Sequence, residues 1–268
     1  MTAPTLQFAS ILYGAGGVPL DDPAENYHEA ARLYPSAAGR QMIGVAQVSA
    51  VAELQQTVER AVRRHGGRPA VPLGRVRLPR SSLARALRAR RSALPRARSH
   101  VGRAQLSSIL AAAYRARPRE GVARRPVPSA GALYPCELYV IALDVGGIDG
   151  GVYHYDPVRH VLERLRLDDP SDELARALVD ETLVARASAA IVTTGMFWRS
   201  RFKYGLRGYR FTLLEAGHLA QNLVLAAAAL RLSALPLGGF YDRRVDDLLG
   251  VDGVDESAVH ITLLGGAA

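Results

Sequence analysis

The stretch Pro128-Ser129-Ala130-Gly131-Ala132-Leu133-Tyr134-Pro135 runs directly into Cys136 and then Glu-Leu-Tyr-Val-Ile-Ala-Leu over 137–143. Two prolines bracket small residues at the mouth of a strand. Small residues let the main chain approach a flat ligand, and the prolines hold the loop in shape. An ordinary loop entering a strand reads the same way. Pro236-Leu237-Gly238-Gly239-Phe240 repeats the logic further along the chain. There, two glycines after a short apolar strand can present main-chain N–H groups to a ligand atom. Upstream, Arg90-Arg91-Ser92 sets a guanidinium beside a hydroxyl just after a helical signal. That pair suits a phosphate, with charge and paired donors from arginine and a third donor from serine. A frayed helix end is the plainer alternative.

Outward from these stretches, the spacing predicts helices over 82–91, 105–116, 171–186 and 209–230, with Ser171 as an N-cap. Strands are predicted over 137–143, 151–157, 161–165, 189–193 and 259–264, the second and third forming a hairpin. The helix over 209–230 is apolar on most faces and is expected to be central. Strands separated by helices, with one hairpin, predict an α+β fold with a mixed or antiparallel sheet covered by helices. Residues 1–75 read as an N-terminal extension, a docking segment ahead of a domain over 76–268. Within it, Val51, Leu54, Val58 and Val62 predict a helix over about 48–64, stopped by His65-Gly66-Gly67-Arg68-Pro69. Residues 72–79 read as a linker or an edge segment.

The 268 residues are 49% apolar, the composition of a soluble globular chain of one large or two small domains. One cysteine, Cys136, leaves no internal disulfide and suits a reducing cytoplasm. No basic segment followed by an apolar run opens the chain, so no signal peptide is expected. The most apolar stretch, 211–232, includes Glu215, His218, Gln221, Asn222 and Arg231, which fits a buried helix and not a membrane span. Net charge is +9 and uneven: residues 60–119 hold 17 of the 33 arginines and no Asp or Glu. Such a field attracts anions, whether a phosphate-bearing cofactor, an acidic peptide or nucleic acid. A solvated arginine-rich face is the plain alternative. Nucleic acid is disfavoured, because the stretch holds one aromatic, Tyr114, and no nucleic-acid module. No metal site is expected: His154 and His160 are six apart, with no third ligand at metal spacing.

Lys203 is the single lysine among 34 basic residues. Lysine can lose its proton and arginine effectively cannot. Beside it stands Tyr204, a second titratable group, so the pair is a candidate for proton transfer. A lysine retained by accident is the plain alternative. Cys136, Tyr153 and Tyr155 read as packing residues, and His218 as a hydrogen-bonded core histidine.

Six segments occur in order: Arg-Arg-Ser, Pro-Ser-Ala-Gly-Ala-Leu-Tyr-Pro, Gly-Val-Tyr-His-Tyr-Asp-Pro, Lys-Tyr-Gly-Leu-Arg-Gly-Tyr-Arg, Glu-Ala-Gly-His-Leu-Ala-Gln-Asn and Pro-Leu-Gly-Gly-Phe. Together they resemble the nitroreductase-like flavoproteins, and more narrowly their SagB-type branch, the azoline dehydrogenases of thiazole/oxazole-modified peptide pathways. The resemblance covers roughly residues 80–265. Asn26-Tyr27-His28-Glu29-Ala30 is similar to a segment in N-terminal parts of that branch.

The resemblance implies an α+β homodimer with FMN at the subunit interface. Arg90 and Ser92 would hold the FMN phosphate. Pro128, Ser129, Ala130 and Ala132 would line the flavin from the partner subunit, and Gly238 and Gly239 would meet the ring near N5. His218, Gln221 and Asn222 would lie in the dimer core. Lys203-Tyr204 falls where the branch places its catalytic pair, Lys203 as base and Tyr204 as assistant, with exchangeable roles. Azoline oxidation removes a proton and a hydride from adjacent ring carbons, so a base beside a hydride acceptor is what the chemistry needs. Arg201 and Arg207 would favour the neutral amine. An azoline-containing precursor peptide and a cyclodehydratase are the implied partners, with no nucleic acid or membrane. Alternatives are a general NAD(P)H-dependent nitroreductase or flavin reductase, an oxidase of a carrier-bound non-ribosomal peptide, and a non-catalytic FMN-binding subunit. Two departures touch the phosphate clamp. Leu94 stands where relatives often carry a basic residue, for which Arg96 or Arg98 could substitute. The chain also ends without basic residues. The peptide, the choice of thiazole or oxazole, and the terminal oxidant are not legible.

Overall fold

A computed structural model of the protein describes residues 21–36, 39, 43–51, 63–95, 97–119 and 122–267. In chain order, α1 (Pro23–Ala30) and α2 (Ile43–Ala50) precede β1 (Ala70–Pro72), α3 (Leu83–Ala89), β2 (Val101–Gly102) and α4 (Arg103–Tyr114). A small hairpin, β3 (Arg117–Arg119) and β4 (Val122–Arg124), leads to a 3-10 turn at Ala130–Ala132. Then come β5 (Cys136–Ala142), β6 (Val145–Gly146), β7 (Gly151–Asp156), β8 (Val161–Arg166) and α5 (Ser171–Ala177). A 3-10 helix at Glu181–Arg186 enters β9 (Ala189–Met196), followed by α6 (Trp198–Tyr204), α7 (Leu206–Ala229), β10 (Leu232–Leu237), α8 (Asp242–Leu249) and β11 (Glu256–Ala267).

Seven strands form one sheet in the order β1-β8-β7-β5-β9-β11-β10. Every neighbouring pair is antiparallel, so the expectation of a mixed or antiparallel sheet resolves to antiparallel throughout. Strand alternation sorts the side chains into two cores. Cys136, Leu138 and Val140 of β5 join α4 and α7 on one face. Tyr139 and Ile141 join α5 and α8 on the other. The sheet begins inside the segment read as an extension, since β1 pairs with edge strand β8 through Ala70↔Glu163 and Val71↔Leu162.

The helix predicted over 171–186 is two pieces, because Leu178 is extended and bridges Phe240. Ser171 is not its N-cap; it is the first helical residue, and its N–H donates to the Asp169 carboxylate at 2.9 Å. Of the helix predicted over 48–64, residues 48–50 lie in α2, Val51 has left the helix, and 52–62 lie outside the described residues. The long helix starts earlier than predicted, at Leu206, and is not buried all round. Ala216, Leu219, Leu223 and Ala227 face the core, while Leu206, Leu213 and Leu214 are exposed.

Candidate active site

Lys203 and Tyr204 close α6, and Gly205, at φ 56° and ψ −139°, separates that helix from α7. The tips of both side chains converge on Gly131. A Cβ built on Gly131 would lie 2.6 Å from Tyr204 Oη and 3.0 Å from Lys203 Nζ. The residue type at 131 therefore sets whether the pair can sit there. Lys203 Nζ is 5.5 Å from the Tyr204 ring centroid, and that ring stands edge-on to Phe211 at 5.1 Å. Burial raises the Tyr204 pKa, so the phenol keeps its proton at neutral pH. The two arginines expected to act on Lys203 are engaged elsewhere. Arg201 lies over Trp198 at 4.5 Å, and Arg207 donates to the Ala31 carbonyl at 3.3 Å.

The N-terminal helices brace this pair. A Cβ on Gly44 would collide with the Phe202 carbonyl and lie 2.8 Å from that of Lys203, so only glycine lets α2 pack there. From α1, Tyr27 Oη donates to the Leu206 carbonyl at 3.2 Å, and Arg210 donates to that of His28 at 3.0 Å. A cavity of about 310 Å³ opens between these helices and residues 201–207.

The loop under the pair is left-handed at Gly131 (φ 61°) and also at Ala132 (φ 56°) and Tyr134 (φ 46°). Two non-glycine residues in that region cost energy that surrounding contacts must offset. Those contacts are present. Ser129 Oγ accepts from the Tyr134 N–H at 2.9 Å, and Tyr134 Oη accepts from the Arg125 N–H at 3.1 Å. Below the loop, Glu215 Oε1 accepts from Tyr114 Oη at 2.7 Å. Burial raises the Glu215 pKa, and among the described residues its Oε2 has no hydrogen-bond partner. Glu215 lines a second cavity of about 310 Å³ with Pro128, Ser129, Ala130 and His218. His218 is exposed there and is not the core histidine expected from its helix. Cys136, Tyr153 and Tyr155 are buried core residues.

The remaining expected residues form a separate group. Arg90 ends α3, and its Nη1 lies 3.3 Å from Ser92 Oγ. Ser92 is exposed and sits beside Ala234 of β10 in a parallel bridge. Among the described residues no carboxylate lies within ion-pair reach of Arg90. The next turn is held by Arg186, which donates to the carbonyls of Pro95 (2.7 Å) and Leu94 (2.9 Å). Leu94 is a core residue, Arg98 donates to the Val184 carbonyl, and Arg96 lies outside the described residues. Gly238 and Gly239 are exposed at the far end of β10, and a Cβ on Gly238 would meet nothing within 4 Å. Four residue steps of extended chain separate Ala234 from Gly238, about 13 Å. A guanidinium with no carboxylate partner among the described residues beside a hydroxyl at one end, and an open glycine cradle at the other, fit an elongated ligand with a phosphate and a flat ring.

Sequence reading missed a buried polar chain at one end of the second core. Arg199 of α6 donates to Glu137 Oε1 at 2.7 Å and to the Tyr134 carbonyl at 2.9 Å. Both ring nitrogens of His154 face carboxylates, Glu137 at 3.0 Å and Glu163 at 3.1 Å. Burial would raise the Glu137 pKa, but the Arg199 charge and the hydrogen bond with His154 hold it down to about 2. His65, His154 and Glu163 bring potential metal-ligating atoms within 4.8 Å of one another. The His154 nitrogens and the Glu163 oxygens are, however, committed to hydrogen bonds within this chain and with Arg159. Ser107, His160 and Tyr155 line up at 2.9 Å each like a hydrolytic relay, but all three are buried in the core. The signal that could have found the polar chain is Glu137, the one acid in an apolar strand.

Residues 87–266 match the Nitroreductase family, and the chain belongs to it. The family is one of FMN-binding oxidoreductases, and the two residue groups fit that cofactor. Among its relatives is MJ1384 of Methanocaldococcus jannaschii, a nitroreductase by name. It is 39% identical over 147 residues, 55% of this chain and 73% of the relative. The microcin B17-processing protein McbC of Escherichia coli is 34% identical over 141 residues, 50% of this chain and 52% of that protein, so the chain spans about half of its length. The fold also matches a chain in the structure of the E. coli microcin synthetase McbBCD complex with truncated pro-MccB17 bound. The TM-score is 0.59 at 24% identity, covering 100% of this chain and 98% of that one. No helix among the described residues is long and apolar enough to cross a membrane.

Proposed function

We propose that the protein is a SagB-type, FMN-dependent dehydrogenase that oxidises thiazoline or oxazoline rings in a ribosomally made peptide to the corresponding azoles. The observation that carries this reading is the convergence of Lys203 Nζ and Tyr204 Oη on Gly131, in the loop of small residues. The likeness to a microcin-processing protein supports a peptide substrate. Arg90 and Ser92 would bind the FMN phosphate, and the main chain at Gly238 and Gly239 would approach the ring. When bound, FMN supplies the hydride acceptor. Lys203 Nζ takes the proton from the neighbouring ring carbon, and protonated Tyr204 orients the lysine by donating a hydrogen bond.

The two residue groups belong to different parts of the chain, and a homodimer would complete the site. Pro128, Ser129, Ala130 and Ala132 would then line the flavin held by the second copy. Support comes from the exposed apolar face: Leu206, Leu213 and Leu214 on α7, with Leu83 and Leu87 on α3. Covering that face is favourable by about 25 cal/mol per Å² of apolar surface. The reading places the protein in the cytoplasm beside a cyclodehydratase, which would supply the azoline peptide.

The test is anaerobic mixing of the flavin-loaded protein with a synthetic thiazoline peptide. The account expects loss of the oxidised-flavin absorbance with one azole formed per flavin. Bleaching by NAD(P)H with turnover of a nitroarene, and none by the peptide, would replace this reading with that of a general nitroreductase.

A further inference from the structure

We propose that Arg199 and Glu137 are positioning residues that fix α6, and with it Lys203 and Tyr204, against the loop at Gly131. This rests on the reading of Lys203 as the proton acceptor. One guanidinium spans three elements. Arg199 Nη1 reaches the Tyr134 carbonyl at the end of the loop (2.9 Å) and Glu137 Oε1 in β5 (2.7 Å), while Nη2 reaches Met196 Sδ at the end of β9 (2.7 Å). Arg199 sits one turn before Lys203 on the same helix. The anchor therefore ties the helix that carries the pair to the loop that the pair touches.

The anchor is itself braced from behind. Glu137 is fully buried, and its second oxygen faces His154 Nε2 at 3.0 Å. His154 Nδ1 faces Glu163 Oε2 at 3.1 Å, and that oxygen also accepts from the His65 N–H at 3.0 Å. Arg159 closes the far end on Glu163. The result is a hydrogen-bonded chain running Arg199, Glu137, His154, Glu163, Arg159 across β5, β7 and β8. Buried polar networks of this kind hold geometry because a buried member that loses its partner is left unsatisfied. The chain also gives residues 63–72 a role. His65 and β1 close the sheet edge over the end of the network, so a segment outside the family match supports the lysine through it.

Lys203 is the only lysine, so its acylation can be followed by mass spectrometry without interference from other side-chain amines. The experiment compares flavin-loaded wild type with Glu137→Gln, Arg199→Met and the more distant Glu163→Gln. Asp246→Asn is the control, because Asp246 is a buried carboxylate on α8 that bonds Ala258 and Ser257 away from the chain. We expect Glu137→Gln and Arg199→Met to keep FMN, lower kcat for azoline oxidation about tenfold or more with little change in KM, and alter the Lys203 acylation rate several-fold. Glu163→Gln should do the same more weakly, and it decides the matter if the closer variants fail to fold. Asp246→Asn should lower Tm and leave both readouts near wild type. Wild-type kcat and acylation in folded Glu137→Gln or, where that fails to fold, in Glu163→Gln would overturn the proposal. An equal response from Asp246→Asn would reduce it to general destabilisation. If the wild type oxidises no azoline, the functional reading fails, and the acylation rates still decide whether the anchor positions Lys203.

Discussion

Gly131→Ala tests the site at the point where its parts touch. The substitution adds one carbon in a left-handed backbone, φ 61°, which costs a non-glycine residue about 1–2 kcal/mol. That carbon would stand 2.6 Å from Tyr204 Oη and 3.0 Å from Lys203 Nζ. To regain van der Waals separation the tyrosine tip must retreat by about 1 Å. Misplacement of that size costs about 10²-fold in rate where reacting groups must be aligned. The variant should therefore unfold in urea with about 1–2 kcal/mol less stability, keep its FMN, and lose azoline oxidation by about 10²-fold. Adding Tyr204→Phe removes the nearest atom and should return the part of the stability lost to the clash. A Gly131→Ala enzyme with wild-type kcat would show that the convergence has no bearing on catalysis.

Three further outcomes follow from the same geometry. Arg90→Ala removes a charge-assisted contact worth about 1.5–3 kcal/mol and should weaken FMN binding about 10- to 100-fold by fluorescence titration. Leu214→Asp puts a charge on the exposed apolar face of α7 and should give monomers by sedimentation, with FMN lost on dilution. Burial, with nearby cations, lowers the pKa of His65 and His160 from 6.5 to about 4. Their unfolded forms thus bind more protons between those values. Stability contributed by the neutral rings is present above pH 6.5 and lost as pH falls towards 4. Thermal melts across that range should show the fall, and His160→Gln should flatten it.

The strands of the sheet were legible wherever one is apolar on both faces or bounded by turn residues, while their all-antiparallel order was not. The strand over 137–143 and the hairpin over 151–165 announce themselves in this way. The break after Ala177 was not legible, because it depends on Leu178 bridging Phe240, a partner 62 residues away. Motif order pointed to Lys203, Tyr204, Arg90 and Ser92, but it could not say that they fall into two separate groups. Glu137 and Arg199 escaped attention, and His154 was weighed only as a metal ligand, for a related reason. A buried ion chain is assembled across strands, so no local spacing records it. His218 was read as a core histidine because its helix is apolar on most faces, whereas α7 leaves the face that carries His218 exposed in the single chain.

Lys203→Arg separates a base at position 203 from a charge held there. Arginine keeps the charge and cannot be deprotonated under working conditions. Purified flavin-loaded wild type and variant are each incubated with an azoline peptide, and the peptide mass is read. If Lys203 is the base, the wild type removes two hydrogens per ring, and the variant, yellow with its cofactor, removes none. An unchanged peptide with the wild type, or full conversion by Lys203→Arg, would contradict that role.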